Sequence, residues 1–162
     1  MNSKLRTTRK TAIAIIALIL SMFSCSRGHR EIYVLPNGYT GRVVIIYDQA
    51  NGAAKTYENG SRVYRIPESG VLKTQFSGNY EWSEFPDFHY GRIDKETQIP
   101  LQVEWENHSF DSVNATLVST GSVYKIDDNT RIKFGEFYVG TKKQVEEATK
   151  QARQVDILEF VE

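Results

Sequence analysis

Glu81, Glu84, Asp87 and His89 fall in one short stretch that also carries Tyr80, Trp82, Phe85, Phe88 and Tyr90. Carboxylates set against aromatic surface are where burial raises one acid's pKa and leaves its neighbour ionised, the division of labour behind glycoside hydrolysis. Glu104, Glu106 and His108 form a second set. Side chains two apart on a strand share a face, so these three would converge as oxygen and nitrogen ligands for a metal, or as an acid and base. Each set also has a plainer explanation. Leu101, Val103 and Trp105 alternate with Gln102, Glu104 and Glu106, the pattern of a half-buried strand with charges on its wet side. Glycosidases usually draw their carboxylates from separated elements, whereas 81–89 is one continuous segment. That segment reads better as an aromatic loop at the end of a β domain, with Tyr80, Trp82, Phe85, Phe88, His89 and Tyr90 as a contact patch. Tyr and Trp offer large contact areas at low entropy cost. Glu104, Glu106 and His108 stay as weak metal candidates, and no cofactor is called for.

Other catalytic signatures are absent from the sequence. It contains three histidines, one cysteine, no His-Glu-x-x-His, no phosphate-cradling glycine loop and no Gly-x-Ser-x-Gly elbow. Asp48 to Gly52 lacks the alternating acids and closing Glu of a calcium loop and reads as a turn. Nucleophilic catalysis has few parts to work with, so the balance leans away from an enzyme.

The one cysteine has its own context. Lys4, Arg6, Arg9 and Lys10 precede the apolar run 12–20, and Ser21-Met22-Phe23-Ser24 leads into Cys25. This is the order of a secretory signal: basic, apolar, then small residues at the cut. With cysteine directly after Ser24, the stretch resembles a bacterial lipoprotein signal, although Phe23 departs from the usual small residue. An ordinary secretory cut and an uncleaved anchor are the alternatives; the apolar stretch 11–23 falls short of the roughly 20 residues a spanning helix needs. The resemblance implies removal of residues 1–24, acylation of Cys25 and a short tether over 25–30. It also implies an extracytoplasmic protein anchored to a bacterial membrane by lipid. Ser26 supplies no acidic sorting residue, which in a two-membrane cell resembles the outer-membrane class.

Such a cut removes four basic residues and no acid, leaving 16 Lys and Arg against 20 Asp and Glu. A mildly acidic chain has no footprint for nucleic acid, and no polybasic stretch reinforces a membrane anchor. Acylation of the lone cysteine also leaves none for a disulfide, so the fold must rest on its core.

The elements that must position these residues are mostly strands. Ile32-Tyr33-Val34-Leu35 ends at Pro36-Asn37-Gly38. Arg42-Val43-Val44-Ile45-Ile46-Tyr47 is continuous and β-branched, which predicts a strand buried on both faces. Further strands are expected at 63–66, 71–76, 101–105, 115–120, 122–126 and 132–139. Asn-Gly pairs at 37–38, 51–52 and 59–60 tolerate the positive φ of tight reversals. Thr141 and Gln144 form a capping-box pair, and Val145, Ala148, Ala152 and Val155 then line one helical face. The spacing predicts a helix from about 141 to Val155 with an extended segment after it. The whole of 31–162 is thus expected to be one mainly-β domain, an antiparallel sandwich with one C-terminal helix.

Three stretches carry a resemblance to a known family. They are Leu35-Pro36-Asn37-Gly38-Tyr39-Thr40-Gly41-Arg42-Val43, Tyr64-Arg65-Ile66-Pro67-Glu68-Ser69-Gly70-Val71-Leu72-Lys73-Thr74, and Phe137-Tyr138-Val139-Gly140-Thr141. They are similar to segments of a family of small bacterial exported domains of unknown function. That resemblance implies export and assigns no reaction. A looser likeness, through Gly41, Asn59-Gly60, Tyr64 to Pro67 and Gly70, is to transthyretin-like and carboxypeptidase-regulatory-like sandwich modules. The reading is a lipid-anchored binding module with an envelope protein or glycan as partner. An inhibitor or immunity lipoprotein against a hydrolase is one alternative; a carboxylate hydrolase using Glu81, Glu84 or Glu104 is another.

Overall fold

A computed structural model of the chain describes residues 28–80, 83–103, 112–125, 130–154 and 156–161. Eleven strands form among them: β1 (Glu31–Leu35), β2 (Gly41–Ile46), β3 (Thr56–Glu58), β4 (Ser61–Arg65), β5 (Val71–Lys73), β6 (Asp87–Tyr90), β7 (Gln98–Ile99), β8 (Leu101–Gln102), β9 (Asn114–Thr116), β10 (Ser119–Tyr124) and β11 (Arg131–Gly140). One α-helix, α1 (Lys142–Ala152), follows, and 3-10 turns occupy Lys95–Thr97 and Ile157–Phe160. One sheet runs β3-β4-β1-β6-β7; the other runs β5-β2-β11-β9-β8, with β10 also on β11.

The mainly-β architecture with a single C-terminal helix is as expected, but its sheets are mixed rather than antiparallel. β1 lies parallel to both β4 and β6, β2 to β5, and β8 to β9. The cause is connectivity. After β1 the chain crosses to the other sheet as β2 and returns through β3 and β4, so β1 and β4 meet running the same way. Parallel neighbours require a crossover of this kind, which a tight hairpin cannot supply.

Register sorts the loops to two ends. Glu31 pairs with Arg62 and Ile32 with Asp87, so β1, β4 and β6 all start at one end. β2 finishes there, because Ile46 pairs with Phe134 near the start of β11, and Tyr124 pairs with Arg131. The 76–80 segment ties both sheets together at this end. Arg62 donates to the Ser77 carbonyl (2.7 Å) and Asn79 donates to the His29 carbonyl (2.7 Å). Since the chain enters the fold here at residues 28–30, we call it the tether end. The far end carries the 36–40 and 67–70 connections.

Packing explains why the strands read as they do. Tyr33 stacks on Tyr64 (5.0 Å, 15°) and on Phe88 (5.2 Å, 18°), because β4 and β6 flank β1 with all three residues in register. Phe137 of the opposite sheet closes on Tyr33 and Phe88 at 5.0 Å. Val43 and Ile45 join this inter-sheet core, while Val44 and Ile46 face outward beneath Ile157 and Ile132. The burial of β2 on both faces therefore follows from cover on each side. Each such side chain contributes about 1.5–3 kcal/mol of transfer free energy.

The helix begins as its sequence predicts. Thr141 N–H donates to Gln144 Oε1 (2.9 Å) and the Thr141 hydroxyl accepts from the Gln144 amide (3.4 Å), a complete capping box. It ends at Ala152, and residues 156–161 are not extended. Asp156 accepts from the Leu158 amide (3.0 Å) and caps the 3-10 turn that lays Ile157 over the outer face of β2. Asp156 caps the segment locally, and its apolar residues pack on the outer face of β2 instead of pairing as a strand.

Among the described residues, no helix is long and apolar enough to cross a membrane.

Candidate functional site at the tether end

The segment expected to form a single aromatic patch is divided by the pleat of β6. Phe88 points between the sheets and is 1% exposed, so it is core and not a contact residue. His89 points the opposite way and is also buried, with Nδ1 2.9 Å from the Asp94 carbonyl under the 92–94 loop. Tyr90 sits at the far end of β6, its hydroxyl donating to the Tyr39 carbonyl (2.7 Å). Alternation along a strand sends neighbours to opposite faces, which the aromatic density of the sequence concealed. Only Tyr80 (56% exposed) and Phe85 (61%) keep the surface position expected of them. Glu81 and Trp82 lie outside the described residues, as do Trp105, Glu104, Glu106 and His108. The strand expected at 101–105 is described only as β8, after which Val103 is exposed.

Tyr80 and Phe85 nevertheless have company that the sequence did not flag. Tyr57 of β3 is half exposed, with its ring edge-on to His29 (5.7 Å) and Phe76 (5.3 Å). Tyr124, the last residue of β10, is exposed at the same end. A cleft of about 450 Å³ opens at this end, lined by Gly28, Arg30, the Asn59-Gly60 hairpin, Ser61, Ser83 and Glu84. Asn59 and Gly60 both adopt positive φ (50° and 82°), which is why this pair makes the hairpin. The signal for Tyr57 was present in the sequence, two residues before that Asn-Gly turn.

Arg30 links two carboxylates beside the cleft, bridging Glu84 (3.5 Å) and Asp87 (2.8 Å). Among the described residues no three His, Cys, Asp or Glu side chains gather as a metal site.

The same end carries a polar cluster that is not legible from sequence order. Glu31 accepts hydrogen bonds from the hydroxyls of Tyr33 (2.9 Å) and Tyr64 (3.0 Å). Burial pushes its carboxyl above the ordinary range, opposed by those two hydroxyls and by the nearby Arg62 charge. Tyr33, Tyr47 and Tyr64 are held well above the ordinary phenol value, chiefly by burial and then by charged or ionisable neighbours including Glu31. Arg62 lies over the Phe76 ring, 5.2 Å from its centroid. The cluster joins β1 to β4 through the Glu31–Tyr64 hydrogen bond.

Residues 27–149 match the model of a family of unknown function, DUF6843. The chain belongs to that family. The matched span contains all three stretches on which a family resemblance was drawn, and this DUF6843 chain carries no reaction from it. A search of curated proteins finds no significant match. Among solved structures, the DUF6843 chain is similar to one described as "Putative Lipoprotein from Bacillus anthracis", with a TM-score of 0.45 and 16% identity over 72% of this chain and 73% of that one.

Proposed function

We propose that this DUF6843 protein is a lipid-tethered extracytoplasmic binding module. It is acylated at Cys25, held at a bacterial envelope membrane, and engages an envelope component through its tether end. The observation that carries this reading is the coincidence of three features at one end of the fold. The chain enters there directly behind Cys25, the 450 Å³ cleft opens there, and the exposed Tyr57, Tyr80, Phe85 and Tyr124 lie at the same end. A concave site with a few polar groups and exposed aromatics on the same end of the fold is suited to binding. Arg30 holds Glu84 and Asp87 in ion pairs, an arrangement that supports recognition more than catalysis.

The test is to compare the native chain with Cys25→Ser in the producing cell. The native protein is expected in the membrane fraction with an acylated N-terminal peptide by mass spectrometry. Crosslinking at the tether end is expected to trap one recurrent envelope component. Cys25→Ser should leave the membrane fraction and lose that crosslink. Equal membrane retention of both forms would refute the tether, and turnover of a glycan lost in Glu84→Gln would refute a purely binding role.

A further inference from the structure

Six large apolar side chains stand exposed among the described residues, and they are not scattered evenly. Val103 and Leu117 are aliphatic and lie on the sheet edge formed by β8 and β9. The four aromatic ones, Tyr57, Tyr80, Phe85 and Tyr124, all lie at the tether end, carried there by β3, by the β5–β6 connection (Tyr80 and Phe85) and by the end of β10. Exposed apolar residues scattered singly need no explanation; four exposed aromatic ones gathered at one end of the fold do.

The chain itself enters at this end. Gly28 lines the cleft, and Cys25 is three residues earlier. Three fully extended residues span at most about 10 Å. An acylated Cys25 therefore holds this end, and no other, within about 10 Å of the bilayer interface, a distance comparable with the thickness of the headgroup layer. Tyr and Trp favour that layer, where an apolar ring and a polar tip are both satisfied. Held by a tether so short, the surface meets lipid at a high effective concentration, so weak individual contacts suffice. Resting on the tether proposed above, we infer that the envelope component engaged by this end is the phospholipid headgroup layer itself. Tyr57, Tyr80, Phe85 and Tyr124 seat in it and stand the domain upright, with the far end directed away from the membrane.

Two cations at this end are already engaged: Arg30 pairs with Glu84 and Asp87, and Lys133 bridges Asp48 (3.2 Å) while lying 6.0 Å from the Tyr80 ring centroid. Attachment is therefore expected to rest first on the rings and to change little with salt.

The experiment uses the acylated full chain in vesicles of phosphatidylethanolamine and phosphatidylglycerol. Nitroxide labels go on Glu58→Cys and Ser83→Cys, beside the exposed aromatics, and on Glu68→Cys at the far end. Acylation of Cys25 leaves each introduced thiol as the only one free. Collision with lipid-soluble oxygen relative to a water-soluble nickel chelate reports depth. The two tether-end labels are expected to give ratios several-fold above that of Glu68→Cys, unchanged between low and high sodium chloride. Adding Tyr57→Ser, Phe85→Ser and Tyr124→Ser, with acylation intact, should bring them down to the Glu68→Cys value. Tether-end labels as aqueous as Glu68→Cys in an acylated protein would overturn this orientation while leaving the tether standing. Loss of the difference at high salt would overturn the aromatic basis. An N-terminal peptide without acyl groups would overturn the tether and this inference with it.

Discussion

Replacing Phe88 and Phe85 in turn separates core from surface within one aromatic segment. Phe88 is 1% exposed, stacked on Tyr33 at 5.2 Å and edge-on to Phe137 at 5.0 Å. Truncating a phenylalanine so enclosed to alanine costs about 3–5 kcal/mol in transfer and cavity terms. That approaches the whole stability of many domains, about 5–15 kcal/mol. Phe88→Leu is the more informative variant: it keeps most of the bulk and loses two ring pairs, each contributing about 0.5–1.5 kcal/mol. Its expected cost is therefore about 1–3 kcal/mol. With a urea slope of about 1–3 kcal/mol per molar, the midpoint falls by roughly 1 M. Phe85→Ala, at 61% exposure, is expected to change stability by less than about 0.5 kcal/mol. Urea unfolding followed by circular dichroism measures both. A Phe85→Ala loss equal to that of Phe88→Leu, or an unshifted Phe88→Leu midpoint, would refute the assignment of Phe88 to the core and Phe85 to the surface.

Three further predictions follow from named groups. Glu31 has its folded pKa raised by burial, so the folded protein holds this proton more tightly than the unfolded chain. Its contribution to stability is complete below the ordinary carboxylate value of about 4.5 and is lost as pH rises through the folded value; Glu31→Gln should remove that slope from urea midpoints measured across the acid range. Gly70 has φ +73°, and a Cβ there would meet the Tyr39 hydroxyl and lie 2.7 Å from the Arg42 carbonyl oxygen. Gly70→Ala should cost about 1–3 kcal/mol in the same assay, and an unchanged midpoint would show that the 67–70 turn has room to relax. Thr141→Ala removes the capping hydroxyl and should cost about 1 kcal/mol, with helical signal lost before the sheets unfold on heating.

The parts of this fold legible in the sequence are those governed by neighbours along the chain. The double-sided burial of 43–47 shows as an unbroken β-branched run, the reversal at 59–60 as an Asn-Gly pair, and the start of α1 as Thr141 with Gln144. The short strands β3 and β7 are not legible in the same way. Two or three residues carry no usable periodicity, and these strands exist because β4 and β6 offer them an edge. The final segment misled for a related reason: Ile157 to Val161 has strand composition, yet Asp156 caps it into a turn.

For the candidate site the division is sharper. By itself the sequence determined the lone Cys25 behind an export-like signal, the short link to the first strand and the aromatic richness of 80–90. Those are properties of composition and order. Only the tertiary structure decided which aromatics are free, because the pleat turns Phe88 inward and His89 under a loop while leaving Phe85 in solvent. It also decided that Tyr57 and Tyr124, distant in sequence, share an end with Tyr80 and Phe85, since strand register fixes where each connection falls. Glu31, Tyr33 and Tyr64 meet because parallel pairing of β1 and β4 sets Tyr33 beside Tyr64. Pairing between distant strands is a choice among many registers of similar local preference, and burial of the whole core selects one.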